Sequence, residues 1–190
     1  MDAFALDSVQ VDRQGYTIED VYALPDGKRA EVIDGQWYDM ATPSTIHQEI
    51  VMALSAELRS HIRSKGGDCK VLPAPFSVLL NQDDRTYVEP DISVVCDQSK
   101  LNEQGCNGAP DFIIEVLSPS TKRKDLVIKR FKYRAAGVRE YWTVNPDARV
   151  INTHVFNEDF EKEEADQFSF EEPVICSVFP EFSVVMREIL

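Results

Sequence analysis

Two carboxylates stand in unusual company in this chain. Glu115 interrupts the apolar run Ile113-Ile114-Glu115-Val116-Leu117, and Asp91 follows Pro90 at the entry to Ile92-Ser93-Val94-Val95. Both segments have the composition of buried strands. A buried carboxylate is costly unless it is paired, protonated or bound to a cation. If the two strands are neighbours, both acids point to one site near the strand ends. Oxygen ligands without histidine or thiolate favour Mg²⁺ or Mn²⁺ over zinc. The plainer arrangement is a strand-entry aspartate and an edge-strand glutamate that reaches solvent, and spacing alone does not separate the two.

A lysine beside such a pair would orient an attacking water and stabilise charge developing on a phosphate. The arrangement common in metal-dependent nucleases, PD…(D/E)xK, places that lysine two residues after the second acid. Here the position is Leu117. The next segment, DLVIKRFKYRAAGV, supplies a substitute. Asp125, Lys129 and Tyr133 recur at intervals of four and share one helix face. Ile128, Phe131 and Ala135 form an adjacent apolar stripe that could pack on a sheet. A helix folded back over its preceding strand would aim Lys129 at Glu115. On the helix pattern alone, a surface Asp125–Lys129 ion pair worth about 0.3–0.5 kcal/mol is the expected arrangement.

The elements that must position these residues are legible in outline. Residues 16–24 read as a short helix, and residues 29–33 and 36–40 as a hairpin around Asp34-Gly35. The clearest helix is IHQEIVMALSAELRSHIRSKGG. Its Ile46, Ile50, Val51, Leu54, Leu58 and Ile62 recur every three or four residues, and Gly66-Gly67 closes it. Strands are predicted over 69–72, 76–80, 88–95 and 112–117, then a helix near 123–136 ending at Gly137. Strands over 140–144 and 150–156 follow, then an irregular acidic stretch and a terminal strand in FSVVMREI. This order makes a mixed sheet with helices on its faces, an α/β or α+β fold.

A chain of 190 residues is expected to form one domain spanning 1–190, and 43% hydrophobic with 28% charged residues is ordinary for a soluble protein. The N-terminal residues have neither the basic nor the apolar region of an export signal. Apolar runs fall well short of the roughly 20 residues of a membrane helix. A cytoplasmic protein without a membrane partner is expected. Cys69, Cys96, Cys106 and Cys176 are scattered without a CxxC pair, so reduced thiols are expected rather than a zinc site or a disulfide framework.

The net charge of −13 argues against a protein that coats nucleic acid non-specifically. The charge is uneven, however. Residues 122–139 hold eight bases and one acid, which suits a phosphate backbone admitted at one place. Residues 158–172 hold eight acids and one lysine. A solvated loop is expected there, with shielding of the site or capture of a basic partner as the functional alternatives.

Taken in order, EVIDGQWYDMATPSTIHQEI, YVEPDISVV, PDFIIEVLSPST, the D…K…Y helix and GVREYWTVNP resemble the Uma2 family, also called DUF820, of restriction-endonuclease-like proteins. The resemblance runs over residues 16–156 and extends toward the C-terminus. It implies a restriction-endonuclease-like mixed β-sheet flanked by α-helices, with a migrated PD-(D/E)xK site. Asp91 and Glu115 would then hold Mg²⁺ or Mn²⁺ together with the backbone carbonyl of Val116. Lys129 would replace the lysine missing at Leu117 and position or help deprotonate the water that attacks phosphorus in line. Glu31, in AEVIDG, would complete the acidic cluster, and His47, in STIHQE, matches a typical family histidine. Ala30 departs from the family pattern, which usually has an aromatic or similar residue there.

The lesser positions also have simpler readings. Glu31 could be solvated or pair with a base, and His47 could be a helix-start or packing residue. Tyr133, Tyr141 and Trp142 suit a core. Ser118, Ser120 and Thr121 look like loop and cap residues rather than nucleophiles. With Lys122, Arg123 and Lys124 they could contact phosphate at the helix start. The implied activity is an Mg²⁺-dependent endonuclease acting on DNA, as a homodimer because two strands need two sites. The rival, favoured by the negative charge, is an inactive nucleic-acid or protein-binding module on a nuclease-like scaffold.

Overall fold

In the computed structural model, which describes residues 15–81, 83–119, 121–156 and 163–190, the strands separate into two six-stranded sheets and a small two-stranded one. Asp34 and Gly35 adopt φ of 52° and 79°, the left-handed pair that a tight two-residue hairpin needs. They join β1 (Ala30–Ile33) to β2 (Gln36–Asp39). The first sheet also contains β4 (Val78–Leu79), β5 (Tyr87–Val88), β7 (Leu101–Asn102) and β8 (Gly105–Asn107), in the order β2-β1-β5-β4-β8-β7. The short helix α1 (Ile18–Tyr22) packs Ile18 and Val21 against Val32 and Tyr87.

The second sheet carries β3 (Lys70–Pro73), β6 (Ile92–Val95), β9 (Phe112–Val116), β10 (Glu140–Asn145), β11 (Val150–Phe156) and β12 (Glu163–Ser169). Their order is β12-β11-β10-β9-β6-β3. β9 and β10 run parallel and the other neighbours antiparallel. Parallel neighbours need a crossover. Here it is a π-helical turn, Lys124–Lys129, continuing into α3 (Arg130–Ala136). Gly137, at φ 94°, ends that helix where the sequence predicts.

Strand alternation explains how Glu115 can sit in an apolar strand. Phe112, Ile114 and Val116 face the core under α2 (Thr45–Ser64), with Ile50, Leu54, Leu58 and Trp142. Ile113 faces the other way, toward Tyr133, Tyr141 and the crossover helix. Glu115 shares that second face by the two-residue period. α2 buries Ile50, Val51, Leu54, Leu58 and Ile62 as its spacing predicts, whereas Ile46, at its first turn, stays exposed.

Several expectations are corrected. The strand predicted over 88–95 is two strands in different sheets, β5 and β6, parted at Glu89-Pro90-Asp91. Pro90 has no N–H to continue a ladder. Of the apolar stripe on the crossover helix, Ile128 packs against the core but the rest does not face the sheet. Phe131 is 56% exposed and Ala135 is exposed, while Asp125, Lys129 and Tyr133 are buried. The acidic stretch is no loop from Glu163 onward, because residues 163–169 pair with β11 as β12. Residues 157–162 and Ser120 lie outside the described residues. The C-terminal segment forms β14 (Ser183–Val184), paired with β13 (Val174–Ile175), and then turns into α4 (Met186–Ile189).

The reduced-thiol expectation is corrected for one pair. Cys69 and Cys96 flank the paired residues Lys70 and Val95 of antiparallel β3 and β6 and are joined in a disulfide, while Cys106 and Cys176 remain free and buried. The register that brings them together is set by the sheet and is invisible in a separation of 27 residues. Closing a loop of that length stabilises the fold by about 3.5 kcal/mol in the chain-entropy account. Reduction, or Cys69→Ala with Cys96→Ala, is therefore expected to lower unfolding free energy by about that amount. Denaturant titration with and without dithiothreitol measures it, and coincident curves would show that the bridge does not stabilise the fold.

Candidate active site

The antiparallel register of β6 and β9 brings the two acids together. Ile92 lies opposite Ile114, so Asp91 falls beside the end of β9. The Val116 N–H donates to Asp91 Oδ2 at 2.8 Å, and the Asp91 N–H lies 3.3 Å from Glu115 Oε2. Each acid is thus oriented by backbone of the other's strand. Both line a cleft of about 470 Å³ together with Arg29, Glu31, His47 and Lys129.

Lys129 crosses to these acids from the helix. Its side chain is 3% exposed, and Nζ lies 2.7 Å from Glu115 Oε1, 2.7 Å from Glu31 Oε1 and 3.7 Å from Asp125 Oδ1. The Asp125–Lys129 pair is therefore buried, not the surface pair that the helix pattern suggests. Glu31, on β1, is fully buried, and its Oε2 lies 2.5 Å from Lys124 Nζ. Two lysines five residues apart meet one carboxylate because the intervening turn is π-helical. A π turn repeats near five residues, whereas an α-helix would point positions i and i+5 well apart.

Other groups fix the acids in place. The Tyr133 hydroxyl donates to Glu115 Oε1 at 2.7 Å, and the Tyr141 hydroxyl donates to the Asp125 carbonyl at 3.1 Å. The Ser44 hydroxyl accepts from the His47 N–H at 3.3 Å, capping α2 and setting His47 in its first turn. His47 Nε2 then reaches Asp91 Oδ2 at 3.1 Å, while its Nδ1 is buried without a hydrogen bond among the described residues. Ser118 and Thr121 bond to one another in the loop before the helix, as expected of loop and cap residues. Lys122 and Arg123 are exposed, whereas Lys124 turns inward to Glu31 and lines the cleft.

The electrostatics follow from burial. Desolvation raises the Glu115 pKa to about 8; Lys129 opposes the rise, and repulsion from Asp91, Asp125 and Glu31 adds to it. Desolvation works against the Lys129 ammonium, yet Glu115, Glu31 and Asp125 hold its pKa well above the ordinary value. Both directions express one fact, that acids outnumber bases here. Glu31 is pulled down despite its burial, by Lys129 and Lys124. His47 is raised overall, the Asp91 contact outweighing desolvation.

A stability prediction follows from Glu115. Its folded-state pKa lies above the 4.5 of an ordinary glutamate, so the folded chain keeps a proton that the unfolded chain releases. This contribution is full below about pH 4.5 and is lost as pH rises through about 8. Unfolding free energy measured across that window should decline less steeply in Glu115→Gln than in wild type. Equal slopes would refute this titration.

The donor set also bears on metal binding. Asp91, Glu115 and the Val116 carbonyl offer hard oxygen ligands, which suit Mg²⁺ or Mn²⁺. Four carboxylates, Glu31, Asp91, Glu115 and Asp125, face two ammonium groups, Lys124 and Lys129. Among the described residues, no three His, Cys, Asp or Glu side chains are gathered as a ready metal cluster, because Lys129 stands between Glu31 and Glu115. The residues fit a site with two carboxylates better than a larger cage.

Sequence reasoning missed Arg29 and Glu89. Arg29 donates through Nε to Glu89 Oε2 at 2.7 Å, and both residues line the cleft. The available signal was the charge of Glu89 directly before Pro90-Asp91. The inward role of Lys124 had no signal, since its distance from Lys129 does not fit an α-helical face.

Fold and cleft together define an α+β protein with an acidic, lysine-bearing cleft. A crystal structure described as a putative nuclease belonging to DUF820, from Anabaena variabilis, matches with a TM-score of 0.72 at 19% identity, covering 91% of this chain and 96% of that one. The model of the Uma2 family, described as "putative restriction endonuclease", matches residues 18–187, and the chain belongs to that family. An uncharacterized protein of Synechocystis sp., slr1290, is 33% identical over 98 residues, an alignment that spans 52% of this chain and about half, 50%, of that one.

Proposed function

We propose that this protein is an Mg²⁺-dependent endonuclease that hydrolyses DNA phosphodiester bonds through a site whose lysine has migrated to the crossover helix. The observation that carries this reading is Lys129 Nζ, buried 2.7 Å from Glu115 although the lysine position of the ordinary motif is Leu117. Asp91, Glu115 and the Val116 carbonyl would hold the ion. When bound, it would supply Lewis-acid stabilisation of the phosphoryl oxygens and ease deprotonation of water. Lys129 would orient the attacking water and offset charge that develops on phosphorus. Glu31 and Asp125 hold that ammonium, Tyr133 holds Glu115, and His47 holds Asp91. The whole chain would act as one nuclease domain in the cytoplasm, and a homodimer would bring two sites to a duplex. There the Cys69–Cys96 bridge would face a reducing environment.

A second reading rests on the segment 122–139. Lys124, Lys129, Arg130, Lys132, Arg134 and Arg139 all face carboxylates of the same chain. That internal pairing, with the net charge of −13, weakens backbone attraction and would suit an inactive binding module. The test is cleavage of plasmid and linear DNA with Mn²⁺ or Mg²⁺ by wild type, Asp91→Ala and Lys129→Ala. Metal-dependent cutting by wild type alone supports the nuclease. Equal activity in all three, or none in any, removes its support. Mn²⁺ calorimetry adds an independent readout: binding lost in Glu115→Gln supports the site, and no binding in wild type supports the module.

A further inference from the structure

The nuclease reading leaves a charge problem at the cleft. A phosphodiester is an anion, yet Glu31, Asp91, Glu115 and Asp125 line the same space. The nearby ammonium groups are engaged by these acids, Lys129 with Glu31 and Glu115 and Lys124 with Glu31. With the ion and Lys129 assigned to the reacting phosphoryl group, the flanking backbone phosphate still needs a cation of its own.

Arg29 enters the cleft from the first sheet, just before β1. It donates Nε and Nη2 to a single oxygen, Glu89 Oε2, the first at 2.7 Å. Glu89 is itself 7% exposed, and its other oxygen accepts the Tyr87 hydroxyl at 2.7 Å. The Glu89 N–H in turn donates to Glu31 Oε1 at 3.0 Å, which ties the anchor to the acidic cluster. The Arg29 side chain is 35% exposed, and its Nη1 makes no hydrogen bond among the described residues. A guanidinium has five donors in a rigid fork. Anchoring one edge on a buried carboxylate fixes the plane and leaves the other edge for a ligand, with little side-chain entropy left to lose on binding.

We propose that Arg29 is a phosphate-binding residue, taking a non-bridging oxygen of the nucleic-acid backbone beside the reacting phosphodiester. Glu89 and Tyr87 are positioning residues that hold its guanidinium. This inference rests on the nuclease reading for the identity of the ligand, and on the Arg29–Glu89–Tyr87 geometry for the residue.

The experiment is fluorescence anisotropy of labelled single-stranded and duplex DNA oligonucleotides with the full chain. Ca²⁺ replaces the cutting metal, and salt is varied. The variant Arg29→Ala with Glu89→Gln removes the guanidinium without stranding a buried carboxylate, and Arg29→Lys keeps the pair if the first proves unstable. The double variant should bind about 10-fold more weakly. Its slope of log affinity against log salt should be shallower by about 0.7 on single strands or 0.9 on duplex, one phosphate contact. Arg29→Lys should retain the slope and lose part of the affinity. Wild-type binding with unchanged affinity and slope in the double variant overturns the inference and leaves the nuclease reading intact. Binding with the slope change but no cleavage keeps Arg29 as a phosphate contact and sinks the catalytic reading. Absence of wild-type oligonucleotide binding overturns both.

Discussion

Lys129→Met should abolish metal-dependent cleavage and destabilise the fold by about 3–5 kcal/mol, the range for leaving buried charge without its partner. The size follows from geometry. One Nζ, 3% exposed with its side chain, satisfies Glu31 and Glu115 at 2.7 Å each. Methionine fills a similar volume but leaves both acids in a dry site, with Lys124 and the Glu89 N–H as the remaining partners of Glu31. Urea titration at pH 7.5 reads the stability change. Because a large loss of stability would also reduce activity, Lys129→Arg serves as the control. It keeps the charge but replaces one compact donor, shared by two carboxylate oxygens, with a larger planar fork. A folded Lys129→Arg protein should still lose about 10²–10³ in cleavage rate, as when a preorganised donor is removed from an active site. Wild-type rates in Lys129→Arg would mean that this ammonium is a structural counter-ion and nothing more.

The second large effect is at Asp91. Asp91→Asn preserves a side-chain oxygen to accept the Val116 N–H, which Asp91 Oδ2 now accepts at 2.8 Å. The loop between β5 and β6 should therefore keep its shape, and stability should change by about 1 kcal/mol or less. The loss of one carboxylate from a hard-oxygen set should nevertheless remove Mn²⁺ binding and reduce cleavage to background, a fall of at least about 10³-fold. Calorimetry and a plasmid-nicking assay on the same preparation check both. Retained Mn²⁺ affinity in Asp91→Asn would move the metal away from this acid and undo the proposed ligand set.

Much of the site was legible because its signals are local. Glu115 violates the apolar character of its strand, Asp91 follows a proline that ends a ladder, and Asp125, Lys129 and Tyr133 keep a helical interval. Each of these can be read within about ten residues. The Asp34-Gly35 hairpin and the α2 stripe were visible for the same reason, since turn chemistry and amphipathic period are properties of short segments. The Tyr133 contact was half visible: its face was predicted, but its role was read as packing.

The failures have a common physical origin in non-local geometry. The apolar stripe of Ile128, Phe131 and Ala135 was a sound helix pattern, yet buried ion pairs took the inward face and Phe131 was left 56% exposed. Glu31, Glu115 and Asp125 take up the two ammonium groups of that face, so it buries paired charge and leaves the aromatic ring outside. The π turn that sends Lys124 to Glu31 changes the repeat of the helix itself, so a period-based reading could not find it. The Cys69–Cys96 bridge depends on the register of β3 with β6, and β12 depends on an exposed edge of β11 waiting for a partner.

By itself, then, the sequence determined which residues are chemically out of place and the family to which the chain belongs. Those are matters of residue type and short-range order. Tertiary structure decided what neutralises them. Glu31 lies 84 residues before Glu115, and a shared ammonium at 2.7 Å from both exists because two sheets and a crossover helix converge there. Burial then sets the strength of the interaction, since charges that water would screen on an open surface must in this cleft be answered by a specific partner.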